Sequence, residues 1–92
     1  MPASMHSGAR ENRPTREQLL SLFRQIASEV VEKNFHYVAE DSVISELAID
    51  SLGMLEIIGS LERQLRIQIP DEMLTGIGTI RELLDVVEKR LA

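Results

Sequence analysis

Apolar residues recur at helical spacing in three stretches of the chain, and the segments between them show no period. Leu19, Leu20, Phe23, Ile26, Ala27, Val30 and Val31 form one broad stripe, the mark of an amphipathic helix lying on a core. Thr15 followed by Gln18 makes a capping box, and Glu17 suits the positive end of a helix dipole. The pattern therefore predicts a helix from Thr15 to near Asn34. A second helix should start at the Asp50–Ser51 boundary and run to near Leu65. Advancing by about 100° per residue places Met54, Ile57, Ile58, Leu61 and Leu65 on one side of it. Leu52, Leu55 and Gly59 fall on a neighbouring strip, and Glu56 and Arg63 near the solvated edge. Ile80, Leu83, Leu84, Val87 and Leu91 supply the third stripe, behind a second capping box of Thr79 and Glu82, with Lys89 and Arg90 complementing the far end.

The connections are less regular. Residues 35–50 have no clear period, and a connection of that length in so small a chain usually has a function. Val43, Ile44 and Leu47 should turn inward, and His36 and Tyr37 should take half-buried packing roles. Ile67 and Ile69 alternate with Gln68 like a strand, but too briefly and too alone to pair, so an extended link ending at Pro70 is expected. Residues 71–77 allow a short helix before Gly76 and Gly78 interrupt it. Residues 1–14, with Pro2, Gly8 and Pro14 and almost nothing apolar, read as a disordered leader, leaving residues 15–92 as the folded domain. The expected architecture is all-α: a small four-helix bundle with three long helices, one short helix and a long loop between the first two.

Composition sharpens this picture. In a chain of 92 residues, 43% are hydrophobic but only 3% aromatic, so aliphatic side chains must fill the interior, which favours helix-on-helix packing. There is no cysteine, so there is no disulfide, no thiolate zinc site and no thiol nucleophile. His6 and His36 lack metal-ligand spacing, and no metal is expected. The net charge is −5, and from Thr15 onward eight bases face fourteen acids. Such a body repels nucleic acid and steers basic protein surfaces toward it. No apolar run is long enough to span a membrane, and the first residues lack the apolar segment of a secretory signal. A cytoplasmic monomer is the expectation.

Asp50–Ser51–Leu52 alone is an ordinary helix start, with Asp50 as the cap. Its setting says more. A long loop leads into Leu47–Ala48–Ile49–Asp50–Ser51–Leu52, an amphipathic helix with Glu56 and Glu62 follows, then Ile69–Pro70–Asp71–Glu72, then the Thr79-capped helix. From Thr15 to Leu91 this order and spacing resembles the acyl carrier protein family. The resemblance implies that Ser51 receives 4′-phosphopantetheine from coenzyme A. Asp50 would then help a phosphopantetheinyl transferase position its magnesium and the serine, and Leu52 would complete the motif. A hydroxyl at a first helical turn suits an anionic phosphodiester, because unpaired N–H groups and the dipole favour negative charge there. No His or nucleophile-elbow pattern accompanies Ser51, so the domain should catalyse nothing and should serve instead as a tether.

The same resemblance implies that enzymes with basic patches dock on Leu52, Leu55, Glu56, Gly59 and Glu62, with Asp71 and Glu72 beyond. Such enzymes include an acyl ligase or acyltransferase and a ketosynthase. It implies a cargo space lined by Met54, Leu61, Ile69, Leu74, Ile77 and Leu83. Leu74 and Leu83 stand where the family often has alanine, which predicts a short, polar or solvent-exposed cargo. Gly53, Gly59 and Arg63 also depart from the common pattern. They suggest a dedicated partner set, in specialised polyketide or fatty-acid-like biosynthesis. The residues leave open an aminoacyl or peptidyl carrier, and a helical interaction adaptor with an unmodified Ser51.

Overall fold

A computed structural model describes residues 13–92; the leader predicted over residues 1–14 therefore lies outside the described residues except for Arg13 and Pro14. The elements are α1 (Arg16–Val31), a 3-10 turn (Ile44–Leu47), α2 (Ser51–Leu65), the short α3 (Asp71–Leu74) and α4 (Ile80–Leu91). Both predicted capping boxes form, at Thr15 with Gln18 and at Thr79 with Glu82. Each helix start thus satisfies backbone donors that would otherwise lack partners. α1 stops at Val31, three residues before the expected Asn34. Glu32 enters the left-handed region at φ 61° and closes the end with its N–H on the Ser28 carbonyl. Between α3 and α4, Gly76 takes φ 84°, a conformation that favours glycine, and the chain turns back toward Thr79.

The predicted stripes meet in one core. Leu19, Phe23, Ile26 and Ala27 of α1 pack with Ile57, Ile58 and Leu61 of α2 and with Ile80, Leu83, Leu84 and Val87 of α4. Gln68 and Ile69 form the expected extended link, with Ile69 buried and Arg90 Nε donating to the Gln68 carbonyl at 2.7 Å.

The long loop adds Phe35, Val38 and Leu47 to the core. It is stitched on two sides. Toward α1, the Phe35 N–H donates to Ser28 Oγ at 3.2 Å and Arg24 Nε donates to the Val38 carbonyl at 2.6 Å. Toward α4, the N–H groups of Ile80 and Arg81 donate to the Ser42 and Glu40 carbonyls, and the Ile44 N–H donates to the Gly78 carbonyl. Here the structure corrects the sequence. His36 and Tyr37 are exposed, Tyr37 at 65%, because they form the tip of a turn whose flanks, Phe35 and Val38, point inward. Tyr37 stacks on Phe35 from outside, with ring centroids 6.1 Å apart. Leu47 is buried and Ile44 half-buried as expected, but Val43 faces solvent, since its backbone is committed to a bridge with Thr79.

Arg16 ties three segments together. It grips Glu40 of the loop through two nitrogens at 3.1 and 3.2 Å. It also reaches Asp85 at 2.8 Å and Glu88 at 3.0 Å on α4. Partial burial by itself lowers the pKa of the guanidinium, but the hydrogen bonds to Glu40 and Asp85 outweigh it and hold the group above its ordinary value.

Candidate functional site

The loop delivers Asp50 and Ser51 through a left-handed residue, Ala48 at φ 59°, that turns the chain into α2. Asp50 is the N-cap, and its Oδ1 accepts the Gly53 N–H at 2.7 Å. Ser51 is the first residue of the helix and is exposed. Its hydroxyl makes no hydrogen bond to another described side chain or backbone group, so the oxygen is free to react. The N–H groups of Ser51 and Leu52 belong to the first turn, where no intrahelical acceptor exists, so they and the positive dipole end would favour an anion attached at Ser51 Oγ.

Gly53 lets this turn sit close to its surroundings. It is buried, and a Cβ there would lie 3.0 Å from Ile49 Cγ2 and 3.1 Å from Asp50 Oδ1, with Val31 Cγ2 at 3.8 Å. The glycine noted as a departure in the sequence is thus where α2 approaches the end of α1 and the incoming loop.

Beside Ser51 opens a groove of about 420 Å³. Of the six residues expected to line a cargo space, Met54, Leu74 and Ile77 line this groove. Leu61, Ile69 and Leu83 are not among its walls and are buried in the core. The remaining wall comes from Ile44 and Ile49 of the loop and Leu55 and Ile58 of α2. Ile58 was readable as the residue four beyond Met54. Ile44 and Ile49 carry no periodic signal and are placed only by the loop's path. On the other flank of Ser51 a smaller recess of about 290 Å³ lies between the end of α1 and Leu52, Gly53 and Glu56.

The expected docking residues are mostly presented outward. Leu52 and Leu55 are 64% and 63% exposed, unusual for leucines of a core helix, and Glu56, Asp71 and Glu72 are exposed. Gly59 is half-buried. Glu62 is also half-buried and is engaged inside the chain, its Oε2 accepting the Ile69 N–H at 2.8 Å. Among the described residues no group of His, Asp or Glu converges as a metal site.

Two comparisons decide the family. Residues 17–87 match the phosphopantetheine attachment site family. Over 76 residues the chain is 33% identical to an acyl carrier protein of Rhodococcus erythropolis, covering 82% of this chain and 84% of that one. The chain belongs to the acyl carrier protein family. It is 42% identical over 52 residues to the monensin polyketide synthase acyl carrier protein of Streptomyces virginiae, covering 56% of this chain and 59% of that relative. In three dimensions it is similar to the crystal structure of an acyl carrier protein from Thermotoga maritima, with a TM-score of 0.76, 32% identity, and 83% and 89% of the two chains covered. A member of this family carries acyl groups on covalently attached 4′-phosphopantetheine, and the site fits that group. An exposed, unbonded hydroxyl, a free first helical turn and an adjoining apolar groove meet at one place.

Proposed function

We propose that Ser51 Oγ is the attachment atom and that the chain is a non-catalytic acyl carrier working as a monomer. The observation that supports this most is the exposed serine at the first residue of α2, capped by Asp50 and opening onto an apolar groove, inside the segment that matches the family. When bound, the arm supplies a terminal thiol that holds an acyl group as a thioester.

The protein's own residues do the rest. In the loading step Ser51 Oγ forms a bond to the pantetheine-bearing phosphorus of coenzyme A. The bond to the departing adenosine 3′,5′-bisphosphate breaks, and the serine proton leaves with a base of the transferase. Asp50 holds the first turn in place through Gly53, and as an exposed carboxylate it would help the transferase position its magnesium. Met54, Leu74 and Ile77, which line the groove beside Ser51, would shelter the part of the arm next to the attachment point. Leu83 fills the core and Leu74 narrows the groove, which favours a short or polar cargo, or one that stays in solvent. Partner enzymes are a phosphopantetheinyl transferase, an acyl ligase or acyltransferase, and a ketosynthase. They dock over Leu52, Leu55 and Glu56, with Asp71 and Glu72 at the margin. On this reading the chain works in the cytoplasm, where coenzyme A and its transferase are found. The likeness to a polyketide synthase carrier supports a role in specialised polyketide or fatty-acid-like biosynthesis.

Intact-mass measurement tests the core of this reading. Incubation with coenzyme A, magnesium and a broad-specificity phosphopantetheinyl transferase should add one phosphopantetheine to the wild type and none to Ser51→Ala. A wild type that gains nothing would leave a bare helical adaptor, and gain by Ser51→Ala would move the attachment elsewhere. Loading of the product by acyl rather than aminoacyl ligases then separates the two carrier types.

A further inference from the structure

Ser51 stands between two openings whose walls differ in chemistry. Apart from Asp50 and Ser51, the groove of about 420 Å³ is walled by aliphatic side chains and Met54. The smaller recess, about 290 Å³, brings the half-buried Val30 and Val31 of α1 beside Leu52 and Glu56 of α2. Ser51 is not itself a wall of this recess, but its two chain neighbours, Asp50 and Leu52, are. Glu56 is exposed and, among the described residues, has no ion-pair partner, since the bridges join Arg16 and Arg81 to Glu40, Asp85 and Glu88. Gly53 keeps the space open. A Cβ there would already stand 3.8 Å from Val31 Cγ2, so a longer side chain would encroach on the recess that both residues line.

We propose that this recess, between the end of α1 and the start of α2, holds the pantoyl part of the arm while the thiol is unloaded. This rests on Ser51 carrying the arm. Next to its phosphate, a phosphopantetheine arm has a carbon bearing two methyl groups, then a hydroxyl and an amide. Val30, Val31 and Leu52 pack against the methyl groups, and the Glu56 carboxylate accepts a charge-assisted hydrogen bond from the hydroxyl. In the groove the same hydroxyl and amide would meet no side-chain acceptor beyond Asp50, and a polar group that leaves water without a partner is disfavoured. The reach agrees. Glu56 lies about 7.5 Å along the helix axis from Ser51 at 1.5 Å per residue, a span that the phosphate and the first carbons of the arm cover. The phosphodiester stays at the first turn, so the neutral part of the arm is what meets Glu56. The recess is near the lower limit of roughly 300 Å³ for small-molecule pockets, which suits a fragment of the arm and not a whole cargo. Once the thiol bears an acyl group, the added apolar surface favours the groove on the other flank.

The test uses the full chain, isotope-labelled and carrying an unlabelled arm, with complete modification confirmed by intact mass. A wild type that takes up no arm has failed the attachment reading, and that failure is visible before any contact is measured. Isotope-filtered nuclear Overhauser spectra of the unloaded holo-protein should show contacts from the arm's paired methyl groups to the methyl groups of Val30 and Val31. Amide shifts between the apo and holo forms should move at Val31, Gly53 and Glu56 as well as at Ser51 and Leu52. Glu56→Ala, a change at an exposed position, should shrink the movement at Val31 about twofold through loss of the charge-assisted bond. Val31→Phe fills the recess and should abolish the contacts to Val30 while the apo spectrum keeps its dispersion. Contacts to Met54, Leu74 or Ile77 in place of Val30 and Val31 overturn the proposal. So do shifts confined to Ser51 and its immediate neighbours, or contacts and shifts that neither variant alters.

Discussion

Replacing Arg16 by methionine removes one cation from three carboxylates while keeping most of the apolar stem in place. The two-nitrogen grip on Glu40 is the best sheltered of these contacts, both side chains being about one-quarter exposed. It contributes about 1 kcal/mol, the upper part of the range for pairs in contact with solvent. Asp85 and Glu88 are roughly half exposed, and screening reduces each to about 0.3–0.5 kcal/mol. The total is about 2 kcal/mol. In a domain of this size that lowers Tm by roughly 8–16 °C. Among the described residues only Arg81, 3.5 Å from Glu40, remains as a cation bridged to the cluster, so part of the loss is repulsion between the carboxylates left behind. Thermal unfolding followed by circular dichroism in dilute buffer and in 1 M NaCl is the assay. The gap between wild type and Arg16→Met should shrink by more than half in high salt, since the Debye length falls to about 3 Å. Amide exchange of Ile80 and Arg81, whose N–H groups bond the loop carbonyls of Ser42 and Glu40, should quicken in the variant. A Tm within about 2 °C of wild type in dilute buffer, well short of the 4–8 °C expected per kcal/mol, or a loss indifferent to salt, would refute the account.

Three further outcomes follow from the site and its supports. Asp50→Ala should lose about 1 kcal/mol through the missing cap. Asp50→Asn should keep the cap and the stability yet be pantetheinylated at least about tenfold more slowly, since the charge toward magnesium is gone. Equal rates for Asp50→Asn and wild type would reduce Asp50 to a cap. Glu82 is held below its ordinary pKa by the N–H groups of Gly78 and Thr79, so its contribution is present above the unfolded value and disappears as pH falls through the lower folded one. The urea midpoint of wild type should accordingly exceed that of Glu82→Gln near pH 7 and match it in strong acid, whereas a pH-independent difference counts against the linkage. Leu74→Ala should widen the groove at a cost of about 1–2 kcal/mol, below the loss for a fully buried leucine. Chain-length-dependent chemical shifts at Met54 and Ile77 should appear on acylation of that variant and not of wild type; their presence in wild type contradicts a short or exposed cargo.

Helix identity was legible in the sequence because its causes are local. A capping box closes within four residues, and an apolar stripe repeats within each turn, so α1, α2 and α4 and most of their buried side chains could be read directly. The position of Ser51 at a helix start was legible for the same reason, whereas its proposed role came from the order of elements along the whole chain. The loop was not. Whether residue 35 or 37 turns inward depends on Ser28 and Arg24 of a neighbouring helix, and Val43 is turned outward by pairing with Thr79, far away in the chain. Periodicity also could not separate groove from core. Met54 and Leu61 lie on one side of α2, but only the placement of the loop and α3 leaves the first beside the groove and seals the second. The engagement of Glu62 with Ile69 and the approach of Val31 to Gly53 were likewise set in three dimensions. Helical periodicity names the faces of an element, but what each face meets is decided by contacts between segments distant along the chain, and these form only when the chain folds.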